Sequence, residues 1–205
     1  MTVLAIDRYA DNGELIAKVA QLGYLQDDWK ILDPTYGLGT FWSRWRPAWL
    51  YCSDIDPAKS PSPMESLDFT AMPFHDRQFD AVVFDPPYKL NGTPTDTVDE
   101  RYGVHQVRTW QQRMALIRAG ARECARVADK VLIVKCQDQV VSSKIRWQTR
   151  AVEDEVTPLG FGLRARFDFL QRRAQPDGRR QINPASCSSQ LLVFQRDWKW
   201  SDLSD

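Results

Sequence analysis

Apolar positions along the chain follow two periods, and segments of the two kinds alternate. From Glu14 to Leu22 they recur at helical spacing and stop at Gly23, which predicts a helix ahead of the first strand. Short apolar runs then predict strands over 29–33, 49–54, 79–84 and 131–136, with a brief third strand at Ser66-Leu67-Asp68-Phe69 between the second and the next. Val107, Trp110, Met114, Ile117, Ala121, Cys124 and Val127 return every three or four residues and mark an amphipathic helix, with Arg118, Arg122 and Arg126 striping its other face as a solvated surface. A helix is predicted over 145–159, and another begins at Phe41-Trp42-Ser43-Arg44-Trp45 before Pro47 interrupts it. Two late runs, 162–170 and 189–194, have no helical pattern between them and pair as an antiparallel hairpin. Strands alternating with helices and closed by a hairpin give an α/β fold, a mostly parallel sheet ending in an antiparallel hairpin.

Composition and spacing narrow the picture. At 205 residues the chain is expected to form a single domain over 1–205, with no room for a separate target-recognition domain. Pro57, Pro61 and Pro63 leave no crossover helix between Asp56 and Leu67, so an extended loop is expected there. No apolar run approaches membrane-spanning length and the first residues lack the pattern of a signal peptide, so a cytoplasmic protein is expected. Cys52, Cys124, Cys136 and Cys187 are too scattered for a zinc site or a disulfide framework, and no metal is expected. Cys52 and Cys136 read as buried thiols, Cys187 as an exposed one. Lys plus Arg equals Asp plus Glu at 27 each, which argues against charge-driven binding of nucleic acid over the whole surface. The halves differ: residues 1–99 hold 15 acids and 8 bases, residues 140–196 hold 5 acids and 10 bases. A polyanionic substrate approaching from the later half would require that asymmetry.

The chemistry is concentrated where two of the predicted strands end. Asp85-Pro86-Pro87-Tyr88 follows the run 79–84, at the strand end where an open parallel sheet keeps its active site. Two prolines fix two φ angles and remove two donors, so the Asp85 carboxylate and the Pro86 carbonyl become rigid acceptors beside an aromatic ring. Such a set suits an exocyclic amino group on a flat base. Taken alone, such a tetrapeptide is more often only a stiff turn ending a strand. A second motif, Asp33-Pro34-x-x-Gly37-x-Gly39-Thr40, is an acid followed by a glycine-spaced turn, with the glycines allowing close backbone approach and positive φ. The polar, turn-rich segment 89–97 then reads as a loop over the site.

These two motifs, in this order, resemble those of the amino-methylating DNA methyltransferases, over most of residues 29–196. The resemblance implies a Rossmann-like class I methyltransferase fold and S-adenosylmethionine as cofactor. It places Asp33 at the methionine ammonium, with Pro34, Gly37, Gly39 and Thr40 around that end. Asp54 would bind the ribose hydroxyls, with Asp56 the near alternative. Asp68 would meet the adenine amino group of the cofactor, and Phe69 would pack on its ring. Asp85 and the Pro86 carbonyl would accept the two N–H bonds of the target amino group, Pro87 would stiffen the turn, and Tyr88 would stack on a base taken out of its helix. Asp at the first position of that motif is more typical of adenine N6 enzymes, so N6 of adenine in DNA is expected, as in a phage or bacterial modification enzyme. Similar Pro-Pro-Tyr motifs occur in enzymes that methylate amino groups of RNA bases or a protein glutamine amide. A catalytically silent methyltransferase fold serving as a nucleic-acid-binding subunit is the rival from another class, against which the intact acids and glycines count. Asp7-Arg8-Tyr9-Ala10-Asp11-Asn12 matches only loosely the segment that closes over the cofactor in the family, leaving open a homodimer or a separate specificity partner. Two arginine pairs, Arg172-Arg173 and Arg179-Arg180, flank a Pro-Asp-Gly turn and are expected to hold nucleic-acid phosphates, the alternative being a solubilising loop tip.

Overall fold

The structure is a computed structural model and describes residues 9–60, 66–90, 109–170 and 188–197. Four strands, β1 (Lys30–Asp33), β2 (Trp49–Cys52), β3 (Phe79–Phe84) and β4 (Ala128–Cys136), run parallel, and β7 (Phe161–Leu170) and β8 (Ser188–Arg196) close the sheet antiparallel, in the order β2-β1-β3-β4-β8-β7. The apolar runs Ala81–Phe84 of β3 and Val131–Val134 of β4 follow from burial on both faces, because a central parallel strand has no solvent side. Val82, Phe84, Leu132 and Val134 pack on one face against Ile117, Ala121 and Cys124 of α2 (Trp110–Val127) and against α3 (Gln148–Val156). Ala81, Val83, Val131 and Ile133 pack on the other against Leu15, Ile16 and Val19 of α1 (Asn12–Gln21).

Local chemistry sets the helix starts. The Asp11 carboxylate accepts the Glu14 amide at 2.8 Å, giving α1 its N-cap, and Thr109 with Gln112 forms a full capping box on α2. Among the described residues no helix is long and apolar enough to cross a membrane.

Three expectations need correction. Residues 66–69 form no strand. The Leu67 amide turns back to the Asp54 carbonyl at 3.3 Å, and Asp68 Oδ1 accepts the Thr70 amide at 2.8 Å, so a side-chain-closed turn replaces the extended backbone a strand needs. The segment after the glycine turn makes only a 3₁₀ turn, Thr40–Trp42, with Pro47 near enough to forbid more. The helix expected over 145–159 begins at Gln148, because Lys144–Arg146 is a strand, β6, paired antiparallel with β5 (Gln139–Val141). Ser142 and Ser143 at φ 51° and 62° supply the two positive-φ positions of a tight hairpin turn. The arginine stripe is a solvated face, as expected, with Arg118 and Arg122 exposed, but it is also ion-paired. Arg118 and Arg122 both bind the buried Glu155 carboxylate, tying α2 to α3, and Arg126 binds Glu123, Asp76 and the carbonyls of Met72 and Phe74. Cys52, Cys124 and Cys136 are buried free thiols.

Candidate active site

Parallel pairing brings the C-terminal ends of β1, β2 and β3 to one edge of the sheet, which gathers Asp33, Asp54 and Asp85. Asp33 is 3% exposed, and its carboxylate accepts Trp42 Nε1 at 2.7 Å on one oxygen and the Thr35 amide and hydroxyl at 2.9 and 3.2 Å on the other. Burial pushes its carboxyl up to about 7 against the pull of those three donors, with the charge of Asp85 adding to the rise. Pro34 is buried beside it and Thr40 is exposed.

The glycine turn takes the conformation its residue types require. Gly37 and Gly39 lie at φ 54° and 67°, and the Gly37 amide donates to Asp54 Oδ2 at 3.0 Å. A Cβ on Gly39 would stand 2.5 Å from the Tyr36 hydroxyl, whereas one on Gly37 would meet nothing nearer than 3.9 Å, so open space lies beside Gly37. The second Asp54 oxygen accepts the Asp56 amide at 2.9 Å. Asp68 is exposed, but Phe69 is in the core, edge-on to Phe84 with centroids 5.1 Å apart.

Asp85 leaves β3 with its amide bonded to Thr35 Oγ1 at 2.9 Å. Its side chain is 15% exposed, with Oδ2 3.9 Å from Lys135 Nζ. Oδ1 is buried and has no hydrogen-bond partner among the described residues. Burial raises the carboxyl above its ordinary range, while the Lys135 ammonium opposes the rise. Lys135, the penultimate residue of β4, donates to Asn12 Oδ1 at 2.8 Å and sits 5.3–5.7 Å from the rings of Phe41, Phe169 and Tyr88. Pro86 is buried, Pro87 and Tyr88 half-buried. The Tyr88 carbonyl receives two amide donors, Gln139 Nε2 and Gln148 Nε2, each at 2.6 Å, and Leu90 N returns a bond to Gln139 Oε1 at 3.1 Å.

The structure thus draws Asp33, Gly37, Gly39, Asp54 and Asp85 together, with Asp68 and Phe69 following from the turn below them. Arg172, Arg173, Arg179, Arg180 and Cys187 lie outside the described residues. Thr35, Lys135, Gln139 and Gln148 were missed by sequence reasoning. Of these only Lys135 carried a signal, a lysine inside the apolar run 131–136.

A sheet with this strand order, an antiparallel end and acids at the ends of its first strands has the Rossmann-like fold of class I methyltransferases. No protein family and no curated protein matches the chain by sequence. By structure it is similar to the magnesium protoporphyrin IX methyltransferase of Synechocystis with bound SAM, at TM-score 0.54 and 15% identity over 90% of this chain and 77% of that one. It is similar also to a SAM-dependent methyltransferase of Methanosarcina mazei (0.51, 12%, 88% and 98%) and to TrmN of Thermus thermophilus (0.53, 15%, 89% of this chain but 48% of TrmN). At such identities the likeness is one of fold.

Proposed function

We propose that this chain is an S-adenosylmethionine-dependent methyltransferase acting on the exocyclic amino group of a nucleobase, N6 of adenine in DNA. The observation that carries the reading is Asp85 Oδ1, a buried acceptor without a partner among the described residues, at the end of a central strand and on a proline-stiffened turn. A buried unpaired acceptor costs about 1–3 kcal/mol, and an N–H donor from a ligand would remove that cost.

The residues fit the cofactor. The open space beside Gly37, the carboxyl of Asp33 and the Asp54 carboxylate at the end of β2 provide room and acceptors for its ammonium and ribose ends. S-adenosylmethionine supplies a methyl group activated by a sulfonium. The protein has to prepare the nitrogen, whose lone pair is delocalised into the base. Asp85 and the Pro86 carbonyl, accepting its two N–H bonds, draw that lone pair out of the ring and orient it for in-line attack. The same carboxylate stabilises the positive charge that develops on the nitrogen, and the Lys135 ammonium favours its ionised form. Tyr88 offers a half-buried ring for stacking, and its carbonyl is fixed by the two glutamine amides.

The test is incubation with isotopically methyl-labelled S-adenosylmethionine and DNA of mixed sequence, followed by nucleoside mass spectrometry. N6-methyladenine is expected, and its loss in Asp85→Ala ties it to this site. Label appearing only in RNA, in protein or in N4-methylcytosine would overturn the substrate assignment; no cofactor binding at all would overturn the whole reading.

A further inference from the structure

The β5–β6 hairpin is built onto the acceptor motif, and only Gln139 of it enters the chemistry above. Gln139 at its start holds the Tyr88 carbonyl, and Arg146, paired across from Gln139, stacks on the Trp110 ring with its guanidinium carbon 3.8 Å from the centroid. Trp110 opens α2, and three residues on Arg113 donates to the Lys89 carbonyl at 2.8 Å, so the first turn of α2 is tied to the residue after the motif. Next to Arg146, Trp147 is 55% exposed. From 139 to 150 the chain carries three bases and no acid. This charge differs in kind from the arginine stripe of α2, which is neutralised by Glu155, Glu123 and Asp76. Lys144 and Arg146 have no carboxylate within ion-pair distance among the described residues, and Arg146 Nε is buried without a hydrogen-bond partner there.

We propose that the β5–β6 hairpin and the residue after it form a nucleic-acid platform, with Trp147 and the Arg146–Trp110 stack receiving an unpaired base beside the target adenine and Lys144 meeting its phosphate. The chemistry is that of single-strand binding, an aromatic face for any base with cations along the backbone. The proposal rests on the reading of the acceptor as a nucleobase. Because the same hairpin clamps Tyr88, a strand seated on it is delivered to Asp85 in a fixed register.

The triple variant Lys144→Ala/Arg146→Ala/Trp147→Ala should bind a fluorescein-labelled single-stranded DNA 12-mer at least tenfold more weakly by anisotropy. The slope of log affinity against log salt should flatten by about 0.7 units, the one phosphate contact assigned to Lys144. Cofactor affinity by calorimetry should hold, which checks that the site remains folded. Should the triple variant not fold, Trp147→Ala alone, at an exposed position, should still lose about fivefold or more. Affinity within twofold of wild type with an unchanged salt slope would overturn the platform and leave the methyltransferase reading standing. Wild-type protein that binds no DNA would overturn the nucleobase reading itself, and the platform with it.

Discussion

Replacing Gly120 of α2 by alanine sets two known effects against each other. Alanine is the better helix former by about 1 kcal/mol, so an exposed helical glycine would gain from the change. Gly120, however, faces the core: its added Cβ would lie 2.5 Å from Phe84 Cζ and 2.6 Å from Phe69 Cδ2, closer than real carbon contacts permit. Neither ring can yield cheaply, since both are buried and stacked edge-on at 5.1 Å. Overpacking of this kind costs roughly 1–3 kcal/mol, and with aromatic rings as the obstacle the upper end applies. The net expectation is destabilisation by about 2 kcal/mol despite the higher helix propensity. With an m-value of about 2.5 kcal/mol/M, the urea midpoint should fall by roughly 0.8 M. Phe84 precedes Asp85 and Phe69 follows Asp68, so methyl transfer should fall as well. Adding Phe69→Leu should recover part of the loss, giving a favourable coupling in a double-mutant cycle. A midpoint for Gly120→Ala that stays put or rises would refute the packing argument.

Asp85→Ala should nearly abolish methyl transfer while leaving cofactor affinity almost unchanged; more than roughly a tenth of the wild-type rate, an effect of only ~1.4 kcal/mol, would be too small for the proposed role. Asp54→Ala should weaken S-adenosylmethionine binding by about 1–3 kcal/mol in calorimetry, and a larger loss in Asp56→Ala would reassign the ribose contact. Asp33, raised by burial from an ordinary carboxyl to about 7, binds its proton more tightly folded than unfolded, so its contribution to stability falls as pH rises from about 4 to about 7, by at most about 1.4 kcal/mol per unit. The carboxylates held low by arginine or lysine, Glu123, Glu155 and Asp80, have the opposite sign but titrate below that window's upper half. Urea midpoints between pH 5.5 and 7 should therefore slope less steeply in Asp33→Asn than in wild type, and equal slopes would remove the titration from Asp33.

Elements with a strong apolar signal were legible in the sequence: short apolar runs place β3, β4 and β8, and a three-to-four repeat places α2. Errors arose where side chains compete with backbone periodicity. Asp68 closes a turn on Thr70 and so removes a strand that Leu67 and Phe69 had suggested. The β5–β6 hairpin went unread, with Ile145 and Arg146 taken as the start of a helix, because its turn is a Ser-Ser pair, without the glycine or asparagine that positive φ usually demands. At the site, residues recognisable by type were found, since acids at strand ends and spaced glycines are visible one at a time. Gln139 and Gln148 could not be, because their partner is a backbone carbonyl 51 and 60 residues away. The ion pairs of Arg118 and Arg122 escaped notice for the same reason, their partner Glu155 belonging to another helix.

Thr35 carries a consequence beyond its size. Its single hydroxyl donates to Asp33 and accepts from the Asp85 amide, so one proton's direction joins the place proposed for the cofactor's ammonium to the backbone that aims the proposed acceptor. A ligand that draws the Asp33 carboxylate toward itself competes with that hydroxyl, and a reoriented hydroxyl changes the bond that fixes Asp85. Thermodynamic linkage makes any such coupling reciprocal: whatever factor the first ligand applies to the affinity of the second, the second applies to the first. In Thr35→Val, which keeps the shape and removes the shared proton, the part of the coupling carried by the hydroxyl is lost and only the charge interaction of Asp33 with Asp85 remains.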